Sequence, residues 1–424
     1  MPRTLTPIDA YALINAVAAE AVGIDATIQA VDTSTFVSVG ETILHSGTEN
    51  TLNALSIVLG RTFMAVRPYE AKLRILNTLS TGLYSDRVRK ISYYSRYAHP
   101  SGAFNTDLYT NHAMGFDGGT NPAGTPPVAQ SVPSQWEQNQ PIPLEMNFGG
   151  SSVWDDWTTI YEWQLQTAFK NEAEFISFVS GIMTEKGNDI ETQKEAFNRT
   201  ALLNFMGGIY DMNAVTGGAI DLTTEFNNYM GNPSPALTRA DILGPTYFKQ
   251  FLEFFVAFVK TLSDRFEHRS LNYHWSPTKT IDGVTYDVLR HTPKSKQKLI
   301  LYKPLIYSAE AMVMSEIFNP QYLKIDNYDS VDFWQNENDS AQISVTPAIP
   351  DTSDPTAQTV GTAVALDYVV GVLYDEDALL VDYQLDSALS TPVNARKAYR
   401  NVFWHFKKNI INDFTEKAVL LYLG

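Results

Sequence analysis

The residues whose types and spacing could do chemistry are two acidic runs. Asp155, Asp156 and Glu162 stand among Trp154, Trp157 and Trp163, and carboxylates beside sugar-stacking rings are what a glycoside hydrolase uses. Neighbouring residues of a strand point to opposite faces, however, so an extended Asp155-Asp156 pair cannot share one site. Asp375-Glu376-Asp377 reads as a turn between strands, with a Ca²⁺ site as the alternative. His45, His99, His112, His268, His274, His291 and His405 are scattered. The separation of His268 from His274 suits neither a helical nor a tight-strand metal pair, so surface or satisfied core histidines are the better reading. Asn198-Arg199-Thr200 fits the glycosylation sequon but falls on a predicted helix. The chain has no Gly-rich phosphate loop, dinucleotide fingerprint or His-Glu-x-x-His run. Its lack of cysteine excludes disulfides, thiolate-held zinc, iron–sulfur clusters and a thiol nucleophile. The sequence predicts no catalytic residue, no metal ligand and no cofactor.

The elements that would position any site come from 424 residues, enough for two or three domains with real cores. Charged residues are 18% and aromatics 12%, a combination that predicts large surfaces covered by a core or a partner. A net charge of −16 argues against gripping nucleic-acid phosphates. The most apolar helical stretch, Phe248 to Leu262, is broken by Lys249, Glu253 and Lys260 and is too short to span a bilayer. Asp9 and Glu20 interrupt any signal-peptide core, so the chain is expected to fold in a cytoplasm without a membrane partner.

Thr6-Pro7-Ile8-Asp9 predicts a helix start, with Ala10, Leu13, Ile14, Val17 and Ala21 on one face. A second helix is expected from about Phe36 to Leu59 and a strand from Arg61 to Val66. Tyr161, Trp163 and Leu165 alternate with polar residues and predict a strand, followed by a long helix from Asn171 to Ile209. Residues 205–245 read as a connector, Phe248 to Leu262 as an amphipathic helix, and 280–286 as a hairpin with an Asp-Gly turn. Leu299 to Tyr307 predicts a strand, Ser308 a helix cap, and 335–365 a loop excursion. Strands are expected at 368–373 and 378–383, at the alternating Val402, Trp404 and Phe406, and at 417–423.

The segment from Pro100 to Gly150 is different. It holds seven Gly and seven Pro, and no Lys or Arg occurs from Tyr97 to Val153. Arg87 to Tyr97 predicts an outgoing strand. Ile142, Leu144, Met146 and Phe148 alternate with Pro143, Glu145 and Asn147 as a return strand with one buried face. A stretch this long is no ordinary loop, and an isolated two-stranded hairpin is marginal in water. The expectation is an arm that docks its apolar side on an adjoining copy, in preference to a disordered insertion, because the strand alternation and Trp136 do not suit disorder. Basic residues cluster on the outgoing strand at Arg87, Arg89, Lys90 and Arg96, and again at Arg396, Lys397, Arg400, Lys407 and Lys408. They form either solvated faces or strips that meet an acidic neighbour in register.

This layout resembles a tailed-phage major capsid protein of the Hong Kong 97-type, an α+β fold. Residues 36–40 and 56–62 resemble the N-terminal arm of small podovirus and gut-phage head proteins. The span from Arg87 to Phe148 resembles the extended E-loop hairpin, 171–209 the spine helix of the peripheral domain, and 371–378 with 399–406 the return from the axial domain. The resemblance implies an N-terminal arm with helices (1–85), an E-loop hairpin (86–160), a peripheral domain (161–235), an axial domain (236–375) and return strands (376–424). It further implies hexamers and pentamers in an icosahedral shell, with the hairpin lying across a neighbouring subunit. The implied intersubunit contacts are Arg87, Arg89, Lys90, Arg96, Trp136, Leu144, Met146, Phe148, Trp154 and Trp157. Implied partners are a scaffolding protein and a portal during assembly in the host cytoplasm. Packaged double-stranded DNA would be touched only weakly and without sequence preference. The N-terminus shows no long charged helical extension, which implies a separate scaffolding protein. Relatives that weld their shells use an E-loop lysine, and no Lys occurs here between Lys90 and Lys170, which implies non-covalent shells. A tail, collar or decoration protein and a polysaccharide-active enzyme are the competing classes.

Overall fold

The computed structural model describes residues 7–22, 29–46, 50–55, 77–78, 87–95, 141–149, 152–170, 172–281, 284–313, 327–352 and 357–424. The expected strand at 61–66 lies outside them. Helix α1 (Pro7–Val22) begins at the proline and buries Ala10, Ile14 and Val17. Helix α2 (Thr33–His45) starts at a capping box in which Asp32 accepts from the Thr35 amide. Asn15 grips both backbone groups of Ala30 and so fixes the connection between the two helices. Residues 50–55 are helical again, so the single helix expected from Phe36 to Leu59 is interrupted after His45.

Two sheets organise the rest. The first is four-stranded in the order β1-β15-β16-β4, formed by β1 (Asn77–Thr78), β4 (Ser152–Tyr161), β15 (Leu379–Ser390) and β16 (Tyr399–Asn412). The second is five-stranded in the order β5-β17-β14-β8-β9. Its members are β5 (Ala219–Asp221), β8 (Gln297–Tyr302), β9 (Asn327–Val331), β14 (Val369–Asp375) and β17 (Ala418–Tyr422). β14 and β8 are buried along their whole length, which is why they read as continuous apolar runs rather than alternations. The expected alternation at Val402, Trp404 and Phe406 is present, with all three buried.

Tyr161 closes β4, and Glu162–Ala168 forms helix α3, which corrects the strand expected at 161–165. Leu165, Ala168 and Phe169 are buried and Trp163 is exposed, a helical spacing that three alternating residues could not distinguish from a strand. Helix α4 (Glu172–Asp211) is the predicted long helix. Its first half buries Phe175, Val179, Met183 and Ile190 with α1, α2 and the four-stranded sheet. Its second half buries Ala201, Leu202, Phe205, Met206 and Ile209 with the five-stranded sheet. One helix therefore serves two cores.

Residues 205–245, expected as a connector, are core structure. After α4 come α5 (Asn213–Thr216), β5, α6 (Leu222–Tyr229) and α7 (Arg239–Ile242), with Leu222, Phe226 and Ile242 fully buried. The Gly and Asn residues form tight turns between packed elements, among them Gly217 and Gly231 at positive φ. Helix α8 (Phe248–Glu267) buries Phe251, Phe255, Val259, Leu262 and Phe266 on one face. The Asp-Gly hairpin is present as β6 (Lys279–Ile281) and β7 (Val284–Tyr286). Helix α9 (Lys303–Val313) starts directly after β8, and Ser308 lies inside it, donating to the Pro304 carbonyl instead of capping. The expected excursion at 335–365 contains two small antiparallel pairs: β10 (Ile343–Val345) with β13 (Val364–Leu366), and β11 (Ala348–Pro350) with β12 (Gln358–Val360). The strands also sort differently from the expected segments. β4 joins the sheet of the return strands instead of the hairpin, and β17 leaves that sheet for the five-stranded one.

Phe205 is fully buried and packs its ring on Phe414 at 5.5 Å and on Tyr374 at 5.8 Å. Phe205→Ala is expected to lower stability by about 3–5 kcal/mol through lost transfer energy and a cavity. Urea unfolding of the unassembled chain measures this.

Candidate assembly surfaces

The base of the hairpin is β2 (Arg87–Tyr93) paired antiparallel with β3 (Pro143–Gly149). Its residues alternate as a two-faced ribbon must. Leu144 and Met146 are buried, with Phe148 and Tyr94 partly buried beside them, and the four pack on Val288 of the same chain. The foot of the ribbon thus has an apolar seat on its own subunit. At the foot the expected contacts Leu144 and Met146 are packed within the chain; the rest of the ribbon, residues 96–140, for which docking on an adjoining copy was expected, lies outside the described residues. The opposite face exposes Ile91 and Tyr93 and carries Arg89 paired to Glu145 at 2.7 Å. Lys90 turns inward and pairs with Asp413 and, at 2.5 Å, with Glu416, so it too is engaged within the subunit. Arg87 lies on β2 with its side chain outside the described residues. Arg96 and Trp136 lie wholly outside them.

The four-stranded sheet has an inner face covered by helices and an outer face that no other described residues cover. Trp154, expected as a contact, is on the inner side, stacked on Phe406 with ring centroids 4.5 Å apart. Trp157 is on the outer side and 56% exposed, with its ring 6.3 Å from that of Phe403. Val153 and Leu389 are also more than half exposed on this face. Phe403 extends the patch to His405 in a stacked arrangement. At the far end Tyr161 meets Tyr399 at 5.6 Å and Trp163 at 6.0 Å. Arg396 and Lys397 are exposed on the β15–β16 connection beyond it. Arg400, Lys407 and Lys408 do not join them in one strip. Arg400 is buried, and Lys408 sits over the Phe197 ring at 4.6 Å.

The chemically suggestive acidic runs are structural. Asp155 and Asp156 face opposite sides of β4, as a strand requires, and Glu162 belongs to α3. Asp156 is buried and accepts from Lys186 at 3.2 Å, which also reaches Asp189 at 3.0 Å. Burial pulls the Lys186 ammonium down, but its bonds to Asp189 and Asp156 outweigh that and hold its pKa above the ordinary value. In the 375–377 turn, Asp375 accepts from the Asp377 amide and from Thr292, and burial raises its carboxyl pKa. Glu376 and Asp377 each pair with Lys296 at 3.2 Å, so a lysine occupies the place a cation would take. Among the described residues no group of three His, Asp or Glu is arranged to hold a metal ion, and no helix is long and apolar enough to cross a membrane.

Sequence reasoning did not identify Val153, Leu389 or Phe403 as surface residues. The available signal was the apolar residue at alternate positions of β4 and β16 on the side opposite the buried Val402, Trp404 and Phe406. Arg290, Asp413, Glu416 and Lys417 were also missed. The charged pair Glu416-Lys417 opening an apolar strand was their only trace.

The described residues thus form an α+β chain with a helix shared by two cores, the paired foot of a hairpin and an aromatic sheet face exposed among them. A sequence family described as Phi29-like phage major capsid protein matches residues 157–422, more than half of the chain. The chain belongs to this family of phage major capsid proteins, the subunits of icosahedral phage heads. No curated relative matches the sequence. Among solved structures, the capsid of Staphylococcus phage Andhra is similar at 10% identity and a TM-score of 0.47, covering 84% of this chain and 85% of that one. The mature capsid of bacteriophage PhiM1 matches at 10% identity and 0.37, covering 84% and 87%. Mycobacterium phage Cain matches at 10% identity and 0.38, covering 86% and 93%. At these scores the assignment rests on the family match and not on the superpositions.

If Asp156 is a structural group, removing its partner should leave a buried unpaired carboxylate. Lys186→Met is expected to cost about 1–3 kcal/mol, with the double variant Lys186→Met/Asp156→Asn recovering part of it. Chemical denaturation of the two variants checks the order.

Proposed function

We propose that the chain builds its shell through hexamers and pentamers in which the ribbon of one subunit crosses the outer face of a neighbour's four-stranded sheet. The observation that carries this reading is the patch of Val153, Trp157 and Leu389, exposed among the described residues, with the half-buried Phe403 beside Trp157. Soluble monomers rarely leave apolar patches of this kind contiguous. Charge supports the same pairing. The sequence between Tyr97 and Gln140 has no Lys or Arg but carries Asp107, Asp117 and Glu137, with Phe104, Tyr109, Phe116 and Trp136. The patch on the sheet ends at the exposed Arg396 and Lys397. An acidic, aromatic ribbon suits an aromatic face with a basic rim. Head-to-tail contacts of this type close into rings when the rotation per subunit allows.

In this reading Arg89, Ile91 and Tyr93 on the outer side of the ribbon foot, together with Phe148, Trp157, Arg87, Arg96 and Trp136, are contact residues. Trp154 acts by holding β4 against β16. The expected division into N-terminal helices, hairpin, peripheral and axial domains is kept as the assembly anatomy, with β4 assigned to the peripheral sheet. Assembly takes place in the host cytoplasm on a separate scaffolding protein and around a portal, and the chain has a structural and not an enzymatic task. Net −16 limits contact with packaged DNA to weak, non-specific touches, since like charges repel at the shell's inner wall.

Trp157→Asp should leave the subunit's melting temperature nearly unchanged and cut the yield of closed shells by roughly tenfold or more. Electron microscopy and sedimentation of co-expressed chain and scaffold give the comparison. Wild-type shell yield from this variant would remove the outer sheet face from the interface. The shells are also expected to be non-covalent, because no lysine lies between Lys90 and Lys170. Virions boiled in SDS should release the 47.3 kDa chain as a single band, and a ladder of multimers would refute this.

A further inference from the structure

Among the described residues, the foot of the ribbon is tied to the body by charge at the turn between the two sheets. Residues 413–417 join β16 of the four-stranded sheet to β17 of the five-stranded sheet, and all five are buried. Two carboxylates of this turn, Asp413 and Glu416, share Lys90 of β2. Glu416 also pairs with Arg290 at 3.3 Å. Arg290 in turn donates to Ser92 of β2 at 2.6 Å and to the Thr415 carbonyl at 3.1 Å. Asp413 accepts from the hydroxyl of Thr415 at 2.7 Å. Lys417 points away, donating to the His268 carbonyl at 2.6 Å and to Ser270 at 3.0 Å. The buried His274 lies close enough to feel the charges of Lys417 and Arg290.

We propose that this cluster is a latch: the turn between the sheets grips the ribbon foot through Lys90 and Ser92, and removing the Lys90 ammonium frees the foot while both cores stay folded. The apolar seat is small: among the described residues Val288 is the body residue grouped with Leu144 and Met146, and the Ser95 amide adds one backbone bond to the Asp287 carbonyl at 2.6 Å. The charge balance at the turn is uneven. Burial raises the pKa of Glu416, Lys90 and Arg290 lower it in part, and Asp413 raises it again. Acid therefore reaches Glu416 above the ordinary carboxylate range. A carboxyl whose pKa is raised on folding favours the folded state below its unfolded pKa, and that contribution is lost as pH rises through the folded value. A proton on Glu416 is therefore held more tightly in the closed arrangement than in solvent, so acid does not open the latch, and the grip is broken from the Lys90 side. Lys90 behaves oppositely to its burial: desolvation lowers its pKa, but Asp413 and Glu416 hold it above the ordinary value, so it stays charged throughout.

The test is hydrogen exchange on the unassembled full-length chain, which separates the latch from any contact between copies. In Lys90→Met at pH 7, amides of residues 87–93 should exchange about tenfold faster or more, while those of β8 and β14 keep their protection. Wild type should keep the protection of 87–93 at mildly acid pH, after correction for intrinsic rates. Ser92→Ala should open the foot less than Lys90→Met does, because Lys90 keeps both carboxylates. Trypsin gives a second readout: with no Lys or Arg from Tyr97 to Phe169, cleavage after Arg89 reports opening of the foot directly. Unchanged protection of 87–93 in Lys90→Met, or loss that always accompanies loss in β14, would overturn the latch.

Discussion

The structure depends on one helix having to satisfy two cores. Forty residues from Glu172 to Asp211 make a rod of about 60 Å, longer than either sheet needs. Its apolar residues sit in two groups, Phe175 to Ile190 under the four-stranded sheet and Ala201 to Ile209 under the five-stranded one. Between and beside them the helix is held by polar contacts. Lys186 reaches across to Asp156. Arg199 lies over the Phe333 ring at 3.6 Å and pairs with Glu195 at 3.0 Å. The chain crosses from sheet to sheet at 376–378 and again at 413–417, so each sheet holds strands from distant parts of the sequence. Moving one core relative to the other would strain the helix and both crossings together. A subunit that must present fixed angles to its neighbours needs that rigidity, since ring closure depends on the rotation between copies.

Much of this was legible in the residues because periodicity is a local signal. The spine helix, the Phe-rich helix α8, the ribbon strands and the alternation of β16 all came through, each being longer than a few residues and patterned on one face. The failures have a common physical origin. Tyr161, Trp163 and Leu165 alternate over too few positions to separate a strand from a helix, and only the burial of Ala168 and Phe169 decides it. Ser308 has a cap's chemistry but sits about one turn inside the helix, where its hydroxyl donates to the Pro304 carbonyl. The Gly- and Asn-rich stretch after Ile209 looked like a connector because turns dominate its composition, although Leu222 and Phe226 place it in the core. Pairings across the sequence, such as Lys90 with Glu416, leave no local trace at all. The candidate surface was half legible. Trp157 was singled out beside Asp155 for its aromatic character, but which tryptophan faces outward depends on the strand's register against β16.

The foot of the ribbon changes how association should be understood. A hairpin with no seat of its own would have to be ordered entirely by its neighbour, and that neighbour would carry the whole conformational-entropy cost of both strands. Here Leu144 and Met146 on Val288, Lys90 on the inter-sheet turn, and Ser92 on Arg290 meet that cost for the foot within one subunit. The remaining contact can then be modest and still hold, because ordering already achieved in the free subunit is not charged again on binding. Modest contacts repeated around closed rings add up without any single one being strong. They also let misplaced subunits leave before the shell closes, which a ribbon ordered wholly by its neighbour would make slower. Trp157 exposed on the sheet, and a ribbon foot fixed to the body at Lys90 and Ser92, describe a subunit whose geometry is set at both places before it meets another copy.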